Sequence, residues 1–225
     1  NTITLTSYGE TLSGSSADVA AALDGTFAAQ YTGTVSLNDT HTLAQLKTIN
    51  NQTNNTITLT SYGEALSGST ADVKAALDGT FASAYTGNVT LDDADGTNIA
   101  ATDITTIEGD TAGTITVSNN INIQGTATAV AAAVADVNSF TDTPTAELSS
   151  NHDTAELKAI NNALSGTLTL NSYAVALSGS AADVKAALAG TFAAAYTGNV
   201  TISDADNADI QAADITTIEL SLKHI

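Results

Sequence analysis

The sequence predicts an α/β fold: a parallel βα solenoid of four repeats of about 54–60 residues, each holding two strand–helix coils, about eight coils in all. Three observations predict it. The chain repeats itself: residues 1–54 and 55–112 both open on NTITLTSYGE, and diverged copies begin at Gly113 (GTITVSNNINIQG) and Gly166 (GTLTLNSYAVALSG), so repeats 1–54, 55–112, 113–165 and 166–225 fill one domain spanning 1–225. Each copy halves again, because LSGSSADVAAAL (12–23) and LNDTHTLAQLKTI (37–49) share a β-rich lead, a polar corner and a short apolar helix. The period of the apolar residues also switches within each half, from two in the leads to about 3.6 in the segments that follow.

The first lead alternates Ile3 and Leu5 against Thr2, Thr4 and Thr6, and Val35 with Leu37 repeats the scheme, giving one buried and one hydroxyl face. In TITLTSYGETLSG the alternation slips at Ser7 and Tyr8, and in the fourth copy it shifts parity at Asn171–Ser172. One bulged strand or two short strands would each reconcile the two parities. Helix starts are signed by Ser15 with Asp18, Ser69 with Asp72 and Ser180 with Asp183, a spacing that satisfies free N–H groups at a helix N-terminus. Helix stops are signed by Gly25, Gly79 and Gly190, where a positive φ is expected. Val19, Leu23 and Phe27 mark the first helix face. Leu43, Leu46 and Ile49 mark the second, aligned with Ile104 and Ile107, Leu157 and Ile160, and Ile215 and Ile218. Helices this short must lean on a sheet, and right-handed crossovers between parallel strands then make each coil touch its neighbours.

Composition excludes several functions. The chain has 225 residues, 24 acids against 5 lysines, a formal charge of −19, and no cysteine, methionine or tryptophan. Without cysteine there is no disulfide framework, thiolate metal site or cysteine nucleophile. Five scattered lysines cannot neutralise a phosphate backbone, so nucleic acid and anionic membrane surfaces are excluded as partners. No apolar run reaches the roughly 18 residues needed to cross a bilayer, so membrane insertion is not expected. With 41 alanines and only 4% aromatic residues, the core is expected to be thin and aliphatic.

The corners between lead and helix hold most of the candidate chemistry. Asp92, Asp93, Asp95 and Asp103 in the second copy match Asp204, Asp206, Asp209 and Asp214 in the fourth. Such clusters suit either a weak calcium site, which needs several converging oxygens, or capping of turns and helices. An EF-hand loop does not fit, since placing Gly96 at its glycine position puts Leu91 at the first ligand. His41 and His152 occupy matching corners, are expected to be exposed, and like His224 lack the partners of a zinc or triad site. Glu10 and Glu64 are copy equivalents, as repetition alone would make them, so no enzyme is expected. The Thr-x-Thr leads offer ranked hydroxyls of the kind an ice-binding face would need. Tyr8, Tyr31, Tyr62, Tyr85, Tyr173 and Tyr196 recur at fixed positions with Phe27, Phe81 and Phe192, as a core ladder with phenols at its rim. At the end, LSLKHI (220–225) reads as a short closing strand, and open terminal edges would invite end-to-end pairing.

One stretch carries a resemblance. Y-x-x-x-L-S-G-[ST]-x-A-D-V-x-A-A-L alternates with G-N-V-T-[LI]-x-D-A-D…A-x-D-I-T-T-I-E, the latter at residues 87–108 and 198–219. The pattern resembles tandem arrays in giant secreted and cell-surface proteins of cyanobacteria and related marine bacteria, often associated with calcium-binding RTX repeats. That resemblance implies an extracellular or cell-surface stalk, surface-layer element or adhesin segment, although the glycine-rich RTX nonapeptide is absent. The expectation is a structural repeat protein, a rod-like spacer or filament subunit whose partners are neighbouring repeats or further copies of itself, needing no cofactor. The alternative is a module binding carbohydrate, calcium or ice on its repeated face.

Overall fold

The computed structural model describes residues 2–205 and 209–223. In chain order the elements are β1 (Leu12–Gly14), α1 (Ser16–Leu23), β2 (Val35–Leu37), α2 (Leu43–Gln52), β3 (Ile57–Thr58), β4 (Leu66–Gly68), α3 (Thr70–Leu77) and β5 (Val89–Leu91). There follow β6 (Asn98–Ala100), α4 (Ala101–Asp110), β7 (Ile115–Val117), β8 (Asn122–Gly125), α5 (Ala127–Asp136), β9 (Ser139–Phe140) and β10 (Thr145–Leu148). The rest are α6 (Thr154–Ala163), β11 (Thr167–Thr169), β12 (Leu177–Gly179), α7 (Ala181–Ala187), β13 (Thr191–Phe192), β14 (Val200–Ile202) and α8 (Ala212–Lys223). The chain is thus α/β, with eight helices among the described residues and strands that pair in parallel. No described helix is long and apolar enough to cross a membrane.

The chain forms two compact units, one of Asn1–Asp93 with Thr106–Ser118 and the other of Ala94–Thr105 with Asn119–Ile225. In the first unit β1, β2 and β3 pair in that order, as do β4, β5 and β7. Their register sets Leu12, Val35 and Ile57 in one inward row and Leu66, Val89 and Ile115 in another. In the second unit a sheet of order β13-β11-β10-β8-β6 aligns Phe192, Leu168, Ala146, Ile123 and Ile99, and β12 pairs with β14. Leu46 and Ile49 of α2, and Leu157 and Ile160 of α6, are fully buried beneath such rows, each contributing about 1.5–3 kcal/mol of apolar burial. Small residues let successive helices approach: Ala76, Ala127, Ala133 and Ala187 are completely buried, and α1 packs on α2, α2 on α3, and α5, α6, α7 and α8 on one another in turn.

The slipping alternation resolves as two short strands in separate sheets. β11 pairs with β10 and β13, whereas β12, one turn further along the chain, pairs with β14. The turn between them is closed by Tyr173, whose hydroxyl accepts the Leu170 N–H at 3.2 Å. Tyr62 does the same for Leu59, at 3.1 Å. Helix starts follow the expected chemistry: the hydroxyls of Ser15, Ser69 and Ser180 accept the N–H of Asp18, Asp72 and Asp183. Thr42 with Gln45 and Asp153 with Glu156 close reciprocal capping boxes on α2 and α6.

Three expectations are corrected. Gly79 and Gly190 do not adopt positive φ, which among the described glycines belongs to Gly96 (+77°). They are glycine for space, since an added Cβ would lie 1.8 Å from Asn50 Oδ1 and 2.0 Å from Asn161 Oδ1. Those asparagines reach across from α2 and α6 and donate to the last-turn carbonyls of Ala76 and Ala187, doing the work of a C-cap from the neighbouring coil. Gly25 likewise lacks positive φ, and an added Cβ there would lie 3.1 Å from Ala22 O and 3.2 Å from Ile3 Cδ1. The second correction is Phe27, which lies beyond α1 and bridges to Ile3 instead of extending the helix face. The third is the closing segment: Leu220–Lys223 is the last turn of α8, not a strand, because ITTIELSLK sustains helical spacing without a breaker, and His224 and Ile225 lie outside the described residues.

Candidate functional site

Two of the predicted metal residues, Asp93 and Asp204, cap the helix of a neighbouring coil, as Asp39 does in the first copy. Asp93 Oδ2 accepts both the backbone N–H (2.8 Å) and the hydroxyl (2.6 Å) of Thr70 at the first position of α3. Asp204 does the same for the N–H of Ala181 at 3.0 Å, and Asp39 for that of Ser16 at 2.7 Å. In the third repeat Ser150 takes this place, accepting the Ala127 N–H at 2.9 Å. Each corner therefore satisfies an orphan N–H of the helix one coil earlier, while the helix's own N-cap takes another. The bond from the Ser16 backbone N–H is the main reason the Asp39 carboxyl sits below its ordinary range. Asp92 accepts the Ser67 hydroxyl at 3.0 Å, and Asp95 the Asn120 N–H at 3.0 Å. Asp214 accepts from Lys185 at 2.5 Å, Asp103 lies in the first turn of α4, Asp209 is exposed, and Asp206 lies outside the described residues. Among the described residues no three His, Asp or Glu side chains come together to hold a metal ion.

His41 and His152 are buried, not exposed as the corner composition suggested. His41 Nε2 lies 3.1 Å from the Tyr85 hydroxyl, and His152 Nε2 2.9 Å from that of Tyr196. Each tyrosine gives its single proton to a backbone carbonyl, Tyr85 to Glu64 at 2.6 Å and Tyr196 to Val175 at 2.7 Å. Each can then only accept from the imidazole, which fixes the Nε2–H tautomer. Both Nδ1 atoms are left buried without a hydrogen-bond partner. A second proton would enter there, so burial holds both histidines below the ordinary value of 6.5, against the opposing pull of Glu64 and Asp39 on His41 and of Glu156 and Asp153 on His152. Burial likewise pushes the Tyr196 hydroxyl up to about 12.

The tyrosines accordingly form two sets. Tyr31, Tyr85 and Tyr196 are buried, with phenols bonded inside instead of at a rim, and Phe81 and Phe192 pack on the latter two with ring centres 6.0 Å apart. Tyr8, Tyr62 and Tyr173 are half-buried and close the lead turns. The hydroxyl-bearing leads form short mixed rows, Ser13–Ser36–Thr58 and Ser67–Thr90–Thr116, in place of a threonine-only array. Helix-to-helix ion pairs complete the seams: Lys47–Asp72, Lys158–Asp183 at 2.5 Å, and Lys185–Asp214. The lysines hold the Asp72 and Asp183 carboxyls below the usual range.

These seams share a spacing missed by a four-copy reading. His41 and His152, Lys47 and Lys158, Asn50 and Asn161, Asp72 and Asp183, Gly79 and Gly190, and Tyr85 and Tyr196 are all separated by one constant offset, the length of two copies. These positions recur at the two-copy spacing, and the signal for the buried histidines was that each precedes a tyrosine by 44 residues.

The same two-copy offset exposes a second feature. Ile99 and Ile104 are buried, and Ile99 pairs with Ile123 of the following coil. Their counterparts one offset later, Ile210 and Ile215, are 46% and 41% exposed, and Leu220 on α8 is 51% exposed. Comparison with known proteins finds no matching family model, curated protein or solved structure.

Proposed function

We propose that the chain is a structural solenoid, stacked coil on coil, serving outside the cell as a spacer, surface-layer or adhesin stalk, or filament subunit. Its mechanism is nearest-neighbour stacking, and no residue is assigned a catalytic role. Support comes from the caps, asparagine bridges and ion pairs, which join residues 23 to 29 positions apart, one coil to the next. The observation that carries the reading is the exposure of Ile210 and Ile215, whose counterparts Ile99 and Ile104 are buried. In the second unit Ile99 pairs with Ile123 of the following coil, so Ile210 and Ile215 suit a further coil of the same repeat.

Light scattering over a protein concentration series tests this. The expected result is a mass that rises in multiples of the 22.5 kDa chain, and that returns to one chain in I210S/I215S. A single-chain mass at every concentration, unchanged by the substitutions, would oppose self-association. Repeating the series in calcium and then in chelator tests the calcium reading of the Asp corners, which predicts a calcium-dependent mass.

A further inference from the structure

The second unit contains a cleft of about 640 Å³ along α6 and the edge of β12. Its polar lining includes Asp153, Lys158, Asn162, Ser178 and Asp183. Each lining position has a counterpart two copies earlier, and all but three are identical. The three that differ are Asp153 for Thr42, Thr154 for Leu43 and Ala159 for Thr48. Two of these exchanges shrink the side chain. In the first unit Leu43 lies over Gly68 so closely that an added Cβ there would be 2.3 Å from Leu43 Cδ2. In the second, the nearest atom to the same construction at Gly179 is Thr154 Cγ2, at 3.5 Å. The Thr154 hydroxyl is drawn back onto β12, donating to Ser178 O at 2.9 Å and accepting the Ser178 N–H at 3.2 Å. Thr154 and Ala159 thus leave open a space that leucine and threonine narrow in the sister unit.

We propose that this cleft is a binding site for a neutral polyhydroxylated ligand, a mono- or disaccharide. Its volume falls in the range of small-molecule sites, about 300–1,000 Å³. Two carboxylates stand against one ammonium, and Lys158 is already paired with Asp183 at 2.5 Å, so an inorganic anion finds no uncommitted charge. No metal-holding cluster occurs among the described residues, so a cation has no converging ligand set. What remains is a lining of carboxylate acceptors beside ammonium and amide donors, next to the methyl groups of Ala155, Ala159 and Ala176. Sugar hydroxyls use acceptors and donors together, and the C–H faces of a pyranose pack on small apolar groups. The site lacks an aromatic platform, so modest affinity is expected.

The test is an amide chemical-shift titration of the full chain with trehalose, maltose, cellobiose and sucrose, each to about 20 mM, enough to fill a site of roughly millimolar Kd. The expected result is saturable shifts with at least one sugar at the amides of Thr154, Lys158 and Ser178, and none at Leu43, Lys47 and Ser67. T154L and A159T restore residues from the open-to-closed comparison, T154L the leucine and A159T the threonine of the first unit. Each should weaken the response at least about tenfold while leaving the spectrum of the first unit unchanged, and A159T keeps the test decisive if T154L perturbs folding. Absence of shifts at the cleft with all four sugars, or shifts unaffected by both variants, overturns the proposal.

Discussion

The two units hold the same seams and differ beside them. In both, a histidine from one coil donates to a buried tyrosine of a later one, a lysine pairs with an aspartate across adjacent helices, and an asparagine occupies the space a glycine leaves. Where Leu43 covers Gly68 in the first, Thr154 leaves a cleft in the second. These histidine, lysine and asparagine contacts are thus retained from one pair of copies to the next, whereas Leu43 and Thr48, which fill space in the first unit, are exchanged for Thr154 and Ala159 in the second. A repeat protein can change such positions in one copy without disturbing nearest-neighbour stacking.

The comparison breaks most sharply at glycine. An added Cβ at Gly87 or Gly198 would lie 1.9 Å from the carbonyl oxygen of Glu64 or Val175, the same carbonyls that the buried tyrosines bond. G87A and G198A should each lower unfolding free energy by about 3 kcal/mol or more in urea melts. At Gly109, where nothing lies within 4 Å of the added atom, alanine in α4 should be neutral or stabilising by up to about 1 kcal/mol.

Next in size, L43A should cost about 1–3 kcal/mol by removing packed methyl groups. T154A should cost roughly 1 kcal/mol, mainly through the lost bonds to Ser178. Equal costs would erase the distinction between a filled and an open cleft.

The histidines should behave alike in both units. Their native pKa values lie below the 6.5 of the unfolded chain, so below that pH the unfolded state binds more protons and stability falls as pH falls. Above about pH 7.5 this contribution is flat. Gln can donate to the tyrosine as Nε2–H does but does not titrate, so H41Q/H152Q should flatten the decline in urea midpoint between about pH 7.5 and 5.5. An unchanged slope would assign the decline to carboxylates alone. The smallest effect is expected for K47A and K158A, each under about 1 kcal/mol, because both ion pairs are substantially exposed to solvent.

Much of this fold was legible in the sequence, because patterning and capping are local. Period-two leads at Val35 and Leu37, helix faces at Leu46 and Ile49, and the Ser–Asp caps follow from residues within a few positions of each other. What was not legible depends on a partner a coil away. The glycines at helix ends read as positive-φ stops because the asparagine filling their space comes from the helix of the preceding coil. The histidines read as exposed because nothing near them in sequence covers them; Tyr85 and Tyr196 are 44 residues on. The Asp corners read equally as calcium ligands or caps, since the helix whose N–H groups they accept lies 23 residues back. The cleft at Thr154 was legible only by setting the second unit against the first, Thr154 on Leu43 and Ala159 on Thr48.

The proposed stacking of a further coil on Ile210 and Ile215 is checked by a chain in which residues 113–223 are duplicated after Ile225, compared with the original in urea unfolding. Stacking should give one cooperative transition with a higher midpoint and a larger m-value, because new interface and new buried surface are added together, and slowed amide exchange at the original Ile215. Two independent transitions, one at the original midpoint, with Ile215 exchanging as before, would contradict it.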